Sequence, residues 1–306
     1  MDATARIMEI ERFAIHDGPG LRTTIFLQGC PLRCPWCANP ESQTISDKLL
    51  YNTTKCVLCG TCIKNCPTQS IKLIDGKIVI NRDTCIKCRL CADNCLAEAI
   101  YFIGQTKTIS EIMKIILKDK EYYEVSNGGV TISGGEPFVQ YDVLCALLSE
   151  CKNNGIHTAI ETTGDTDWEK IEKVQDKIDL FLYDMKHIDP EKLKEVPKGN
   201  GNRILSNLKK LASLCPEKII IRVPVIPSFN YDEDTINGII NFAIDNKIKE
   251  VNLLPYHNLG KSKYEHLGLT YPMGDIPMLK KEELLKYARN DEILVKICLL
   301  YTSRCV

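Results

Sequence analysis

The sequence predicts an α/β fold organised around parallel strands, either a barrel or an open doubly wound sheet, with a cysteine-rich segment set into it. Three observations lead there. Six short apolar runs alternate with amphipathic helical patterns along the 306 residues, the alternation expected of repeated βα units. The runs are nearly continuous in apolar character, which suits strands covered on both faces. Eleven of the sixteen cysteines fall between Cys30 and Cys95, so a separate block interrupts the series after its first strand.

In chain order the strands are expected at residues 23–29, 129–135, 157–164, 178–186, 218–227 and 250–257. Between them lie SEIMKIILKDKEYYE, YDVLCALLSECKNNG, TDWEKIEKVQDK, RILSNLKKLASL and DTINGIINFAIDN, each with apolar residues at helical spacing. The final segment, ILVKICLLYTSRCV, ends in about ten residues that suit neither a strand nor an amphipathic helix.

Lysine and arginine number 39 against 40 aspartates and glutamates, and the signs are dispersed. No basic block is present to track a phosphate backbone, so nucleic acid is not an expected partner. The N-terminus lacks a basic segment followed by an apolar run, and no apolar stretch nears the roughly 20 residues that span a bilayer. A cytoplasmic protein without membrane contact is expected. Thiols stay reduced there, which favours metal or cluster ligation over disulfides. Cys145, Cys151, Cys215, Cys298 and Cys305 are scattered through helical or terminal sequence and read as ordinary packed or surface thiols.

Residues 56–95 carry CVLCGTCIKNCP and CIKCRLCADNCL, the spacing C-x2-C-x2-C-x3-C twice. This resembles a two-cluster bacterial ferredoxin domain over about residues 48–104, with Leu96 where a second proline is often found. In that pattern each fourth cysteine serves the other cluster. Cys56, Cys59, Cys62 and Cys95 then hold one 4Fe-4S cluster, and Cys66, Cys85, Cys88 and Cys91 hold the other. Asp75-Gly76 between two β-branched runs is a hairpin signal. A pair of zinc sites is the competing reading, but zinc rarely needs four cysteines within eleven residues twice over.

Chemistry in parallel α/β folds gathers at the carboxyl ends of the strands. The first strand runs into Cys30, Cys34 and Cys37, the second into SGGEP, and the third into Glu161, Thr162 and Thr163. The fourth reaches Asp184 and Lys186, the fifth carries Arg222, and the sixth ends at Tyr256 and His257. Each has a plainer reading. SGGEP could be only a tight turn, Asp184 and Lys186 an ordinary ion pair on one face, Arg222 structural, and His257 a satisfied core histidine. Their convergence on one mouth favours function.

Together these residues resemble the radical S-adenosylmethionine (SAM) superfamily, and within it the activating enzymes of glycyl radical enzymes. DGPGLRTTIFLQGCPLRCPWCANPE, GGVTISGGEP, YDMKHID and LLPYHNLGKSKYEHLG are similar to that group's motifs, and the likeness runs over about residues 9–270. It implies a partial (β/α)6 TIM-like barrel formed by residues 1–47 and 105–297, a ferredoxin-like domain at 48–104 and an atypical tail at 298–306. The catalytic cluster would sit on Cys30, Cys34 and Cys37, with SAM chelating the iron that three cysteines leave open. Reductive cleavage of SAM would give methionine and a 5′-deoxyadenosyl radical, which takes hydrogen from a backbone glycine of the partner.

Roles follow by the same resemblance. Trp36 and Asn39 lie close to the cluster or nucleoside; Gly134, Gly135 and Glu136 receive the methionine amino group; Lys186 and Arg222 meet its carboxylate. Glu161, Thr162 and Asp184 form a sodium or potassium site, although an aspartate is usual where Glu161 stands. His257 flanks the adenosine and Asp17 lies near the peptide glycine. The chain is expected to work as a monomer, taking electrons from reduced flavodoxin or ferredoxin. Its partner could be a dehydratase, a decarboxylase, a carbon-nitrogen lyase or a carbon-sulfur lyase. Two other readings are weaker. Sulfatase-maturing relatives usually carry their extra cysteines after the barrel, and a pure electron carrier leaves SGGEP, YDMK and C-x3-C-x2-C unexplained.

Overall fold

The computed structural model describes residues 3–298. The strands are β1 Thr4–Ala14, β2 Arg22–Leu27, β3 Lys48–Tyr51, β4 Ile71–Ile74, β5 Lys77–Ile80, β6 Ile100–Ile103, β7 Gln105–Thr108, β8 Gly129–Gly134, β9 Thr158–Thr162, β10 Leu180–Asp184, β11 Ile219–Val225, β12 Glu250–Pro255 and β13 Leu294–Ile297. Nine of them form one sheet in the order β13-β12-β11-β10-β9-β8-β2-β1-β7. From β2 to β13 every neighbouring pair is parallel. β1 and β7 add an antiparallel edge. The sheet stays open, with β7 and β13 as its edges.

All six expected strands are present, and helices Tyr141–Asn153, Trp168–Glu172, Gly201–Leu214 and Glu233–Asp245 link them. Asn200 and Asp232 cap two of these by accepting from Arg203 N–H at 3.1 Å and Thr235 N–H at 2.8 Å. Ile132, Ile160, Phe181, Ile221 and Val251 on the sheet pack with Leu144, Leu147, Leu208 and Ile239 on the helices in one core cluster. Burial on both faces explains the continuous apolar runs.

Three strands of the main sheet lie outside the expectation. β1, TARIMEIERFA, alternates charged and apolar residues and is buried on only part of its length. β7 is QTKT. β13 falls within the first residues of ILVKICLLYTSRCV and pairs with β12; Cys298 N–H still donates to Leu253 O at 3.0 Å. The rest of the expected tail, Cys305 included, lies outside the described residues.

Residues 48–104 leave the sheet after β2 and return at β7. β3 pairs antiparallel with β6, β4 with β5, and Leu49, Ile71, Ile78, Cys91 and Ile100 form a small separate core. The β4–β5 turn is Asp75-Gly76, with φ of 48° and 74°, the left-handed pair that a two-residue type I′ hairpin requires. Arg89 Nη2 donates to Asp47 Oδ2 at 2.8 Å, and Arg82 Nη2 to His266 O at 2.9 Å, tying this segment to the sheet.

Ile160 is fully buried at the centre of the sheet. Ile160→Ala should destabilise the apoprotein by about 3 kcal/mol, read as a lower midpoint in urea; an unmoved midpoint would contradict this packing.

Candidate active site

Strand alternation decides what the site contains, because successive side chains point to opposite faces. In β9 Ile160 joins the helix-side core while Glu161 lines a cavity. The same split separates Tyr183 from Asp184, Ile221 from Arg222 and Leu253 from Leu254. The cavity at the carboxyl ends of these strands gathers Cys30, Cys34, Trp36, Cys37 and Asn39 from the loop after β2. Gly134, Gly135, Thr162, Lys186 and His257 complete its wall.

Two expected residues stay off that wall. The Glu136 carboxylate is 1 % exposed and fully engaged. Oε1 accepts from Thr162 Oγ1 at 2.8 Å and Phe138 N–H at 3.3 Å; Oε2 accepts from Thr163 N–H at 2.8 Å and Thr163 Oγ1 at 2.7 Å. These bonds make Glu136 the group that fastens the β8 turn to the end of β9. Thr162 spends its hydroxyl on the same bond and on accepting from Gly164 N–H at 3.0 Å. Asp17 is buried too, accepting from Thr24 Oγ1 at 2.8 Å. Its backbone carbonyl accepts from Thr131 Oγ1 at 2.6 Å, so it is held between β2 and β8.

The two glycines serve the chain as well as any ligand. Gly135 N–H donates to Leu27 O at 2.9 Å and Glu136 N–H to Gly29 O at 2.7 Å. A Cβ on Gly135 would come within 2.1 Å of Gly29 O, and one on Gly134 within 2.1 Å of Leu27 O. No other residue allows that approach.

Charges in the cavity come in pairs. Lys186 Nζ donates to Asp184 Oδ2 at 2.9 Å, and Arg222 Nη1 lies 3.0 Å from Glu161 Oε1 as a charge contact. Burial opposes the Lys186 charge, but Asp184 and Cys34 outweigh it and hold its pKa above the ordinary lysine value. Burial likewise raises Glu161, with Arg222 working against the shift. Ser133 Oγ also donates to Glu161. A cation at Glu161 therefore meets an oxygen already compensated by Arg222. Burial, then Lys263, lowers the His257 pKa, which favours the neutral ring, and its Nδ1 is buried without a protein partner.

Trp36 stacks at a tilt on Phe229, with ring centres 4.8 Å apart. Lys263 Nζ donates to Asn39 Oδ1 at 2.7 Å and sits 3.2 Å from the buried Glu41. Thr163 stands where the third strand was expected to end, whereas Lys263 and Ser133 were given no role from sequence. Alternation could have found Ser133, which sits before SGG's glycines on the face shared with Glu161; nothing local marks Lys263.

The pattern of the Radical SAM superfamily matches residues 24–238. The chain belongs to this superfamily. It is 39% identical over 292 residues to the choline trimethylamine-lyase activating enzyme of Oleidesulfovibrio alaskensis, covering 93% of this chain and 94% of that one. It is 42% identical over 286 residues to the trans-4-hydroxy-L-proline dehydratase activating enzyme of Clostridioides difficile, covering 92% and 94%. A third relative, the 4-hydroxyphenylacetate decarboxylase activating enzyme of the same species, is 39% identical over 278 residues, 88% of this chain and 87% of that one. This radical SAM chain is an enzyme of the group that activates glycyl radical enzymes. No helix among the described residues is long and apolar enough to cross a membrane.

The radical SAM cysteines suit an iron-sulfur cluster by their own chemistry. Burial pushes the Cys34 thiol up to about 12 and raises Cys30 and Cys37 as well, so thiolates here need a metal to hold them. Among the described residues no three His, Cys, Asp or Glu side chains close around a point that could hold a single ion. In the 48–104 segment, Cys95 shares a small pocket with Cys56, Cys59 and Cys62, although it ends the other run. Cys91 lies near Cys85 and Cys88. Ser70 N–H donates to Cys66 Sγ at 3.2 Å, and Ser70 Oγ bonds Thr84 Oγ1 at 2.8 Å, which brings Cys66 beside Cys85.

Glu136→Gln replaces an all-acceptor group facing four donors with one that also donates. At least one backbone N–H of Phe138 or Thr163 loses its acceptor, so the apoprotein should lose about 1–3 kcal/mol, measured by denaturant titration. A neutral substitution would mean that the four bonds do not hold the turn.

Proposed function

We propose that this chain binds a 4Fe-4S cluster through Cys30, Cys34 and Cys37, places SAM on the open iron, and generates a radical on a backbone glycine of a glycyl radical enzyme. One observation carries the reading: three partly buried thiols, with no fourth among the described residues of that cavity's lining, share it with two ion pairs. When bound, the cluster supplies the electron that cleaves the SAM sulfonium. The chain's residues do the rest. Carbonyls of Gly134 and Gly135 take the methionine ammonium, and Lys186, with Arg222, takes its carboxylate. Trp36 and neutral His257 enclose the adenosine, with Asn39 held ready by Lys263. Asp17 faces the substrate glycine from the far side. A sodium or potassium ion enters this reading only when Arg222 turns from Glu161 to the ligand carboxylate, since Glu161 then needs another cation.

Residues 48–104 are read as a ferredoxin-like domain with two further 4Fe-4S clusters, on Cys56, Cys59, Cys62 and Cys95 and on Cys66, Cys85, Cys88 and Cys91. The shared pocket around Cys95 supports the crossed assignment. This domain passes electrons inward from a reduced flavodoxin or ferredoxin in the cytoplasm, and the chain acts as a monomer on its partner. The radical SAM core then comprises 1–47 and 105–297.

Anaerobically reconstituted protein should hold about 12 irons per chain, and a value near eight would remove one cluster. Mixed with SAM, reductant and a glycyl radical enzyme encoded beside it, the protein should give a glycyl doublet in its electron paramagnetic resonance spectrum. SAM cleavage without a doublet would refute the choice of partner. Cys34→Ala should abolish SAM cleavage, whereas Cys59→Ala should keep SAM binding and slow electron delivery; loss of SAM binding in Cys59→Ala would end this division of labour.

A further inference from the structure

We infer that Lys263 fixes which way the Asn39 side-chain amide faces, so that Asn39 offers N–H donors, and no acceptor, to the nucleoside of the bound ligand. The inference rests on the SAM site proposed above and adds a specificity-determining contact to it. Lys263 Nζ donates to Asn39 Oδ1 at 2.7 Å. An ammonium has donors only, whereas an amide has an acceptor at one end and donors at the other. The amide oxygen must therefore face Lys263, and its NH2 group is what remains for the cavity that Asn39 lines. A hydroxyl or a water in place of the ammonium would accept either end of the amide.

The rest of Asn39 is held as firmly as its oxygen. Its backbone carbonyl accepts from Ser42 N–H at 3.0 Å and from Ser42 Oγ at 2.7 Å, in the buried turn Pro40–Ser42. Glu41 of that turn is fully buried, and its Oε1 lies 3.2 Å from Lys263 Nζ. A buried carboxylate is costly without a counter-charge, so Glu41 keeps the ammonium where it meets Asn39.

Lys263 comes from a short helix, Lys261–His266, that is pinned at both ends. Just before it, a Cβ on Gly260 would come within 3.0 Å of Ala38 Cα and 3.2 Å of Cys37 O, so the chain meets the cysteine loop backbone to backbone. At its far end His266 O accepts from Arg82 Nη2 at 2.9 Å, and His266 Nδ1 lies 3.0 Å from Tyr101 Oη. Between them Tyr264 meets Tyr271 edge-on, with centres 5.1 Å apart, and the Tyr271 hydroxyl lies 3.0 Å from that of Tyr256, the neighbour of His257. Lys263 is thus a positioning residue, preorganised by the cysteine loop, the end of β12 and the 48–104 segment together.

A consequence separates this role from simple support of the loop. Ring nitrogens and ribose oxygens of a nucleoside are acceptors that match the Asn39 NH2, and a site built to donate there discriminates against ligands without an acceptor. Lys263 should therefore matter to SAM and not to methionine, which has no nucleoside.

The test measures equilibrium binding of SAM and of methionine to anaerobically reconstituted full-length protein. Lys263→Met alone would strand the buried Glu41 charge, so the variant is Lys263→Met plus Glu41→Gln, which removes both charges and nearly keeps the shape. It should bind SAM at least about tenfold more weakly, with methionine affinity and iron content as in wild type. Made in an Asn39→Ala background, the same pair of changes should add little, because the residues act as a unit. Asn39→Asp keeps an oxygen towards Lys263 and puts a second oxygen in place of the NH2, so it should lose SAM affinity with methionine affinity unchanged. Wild-type SAM affinity in Asn39→Asp or in the double variant would overturn the inference. SAM and methionine weakened by the same factor would make Lys263 a support of the loop and overturn it as well, as would a full loss of SAM affinity that persists on top of Asn39→Ala. Failure of the wild-type protein to bind SAM would overturn the reading of the site itself, and this inference with it.

Discussion

The seam between β2 and β8 sets the position of everything in the cavity. The loop that carries Cys30, Cys34 and Cys37 has almost no regular structure of its own. It is held because parallel pairing, which ends at Leu27 opposite Gly134, continues as two more backbone bonds from Gly135 and Glu136 to Leu27 and Gly29. Those bonds need backbones in contact, and only glycine at 134 and 135 permits it. Glu136 extends the constraint to β9 through Thr162 and Thr163. A displacement of one strand end would therefore move the cysteine loop, the glycine turn and the Glu161 wall together.

Burying charge is costly unless it is paired, and the cavity meets that cost with Asp184–Lys186 and Glu161–Arg222. A ligand head group with one ammonium and one carboxylate brings both signs at once. It can enter by exchanging partners with these pairs, leaving the net charge of the site unchanged. A singly charged ligand of similar size would leave one buried group without its counter-charge.

Six strands could be read from sequence because burial on both faces writes a continuous apolar run. β1 carries the antiparallel edge, so its sequence alternates and its Arg and Glu residues hide it. β13 is short and follows a stretch without apolar periodicity. The cysteines were legible from their spacing, and the strand-end residues because alternation puts every second side chain on one face. What sequence could not show is which atoms a residue has already spent. Glu136 has the composition of a ligand group, yet its oxygens take three bonds from Thr162 and Thr163 and one from Phe138 in its own turn. Asp184 and Lys186 form the ordinary ion pair and still line the cavity, so the plain reading and the functional one were never exclusive. Glu161 reaches two strands across to Arg222, a partnership that depends on sheet order and on no local motif.

The placement of the cysteine-rich segment follows from the same topology. It leaves the sheet at Lys48, soon after the cysteine loop, and returns at β7, so both crossings lie on one side of the sheet. Arg82 and Arg89, on either side of Cys85 and Cys88, are the residues that bond back to His266, Asp47 and Gly104. Lys87 is close enough to Lys48 to oppose its charge, as is Arg33 of the catalytic loop. The second cysteine run is thus the one that Arg82 and Arg89 fasten to residues outside it. Under the crossed assignment the order of cysteines along the chain would not be their order in space, and each proposed site would depend on the fold of both runs.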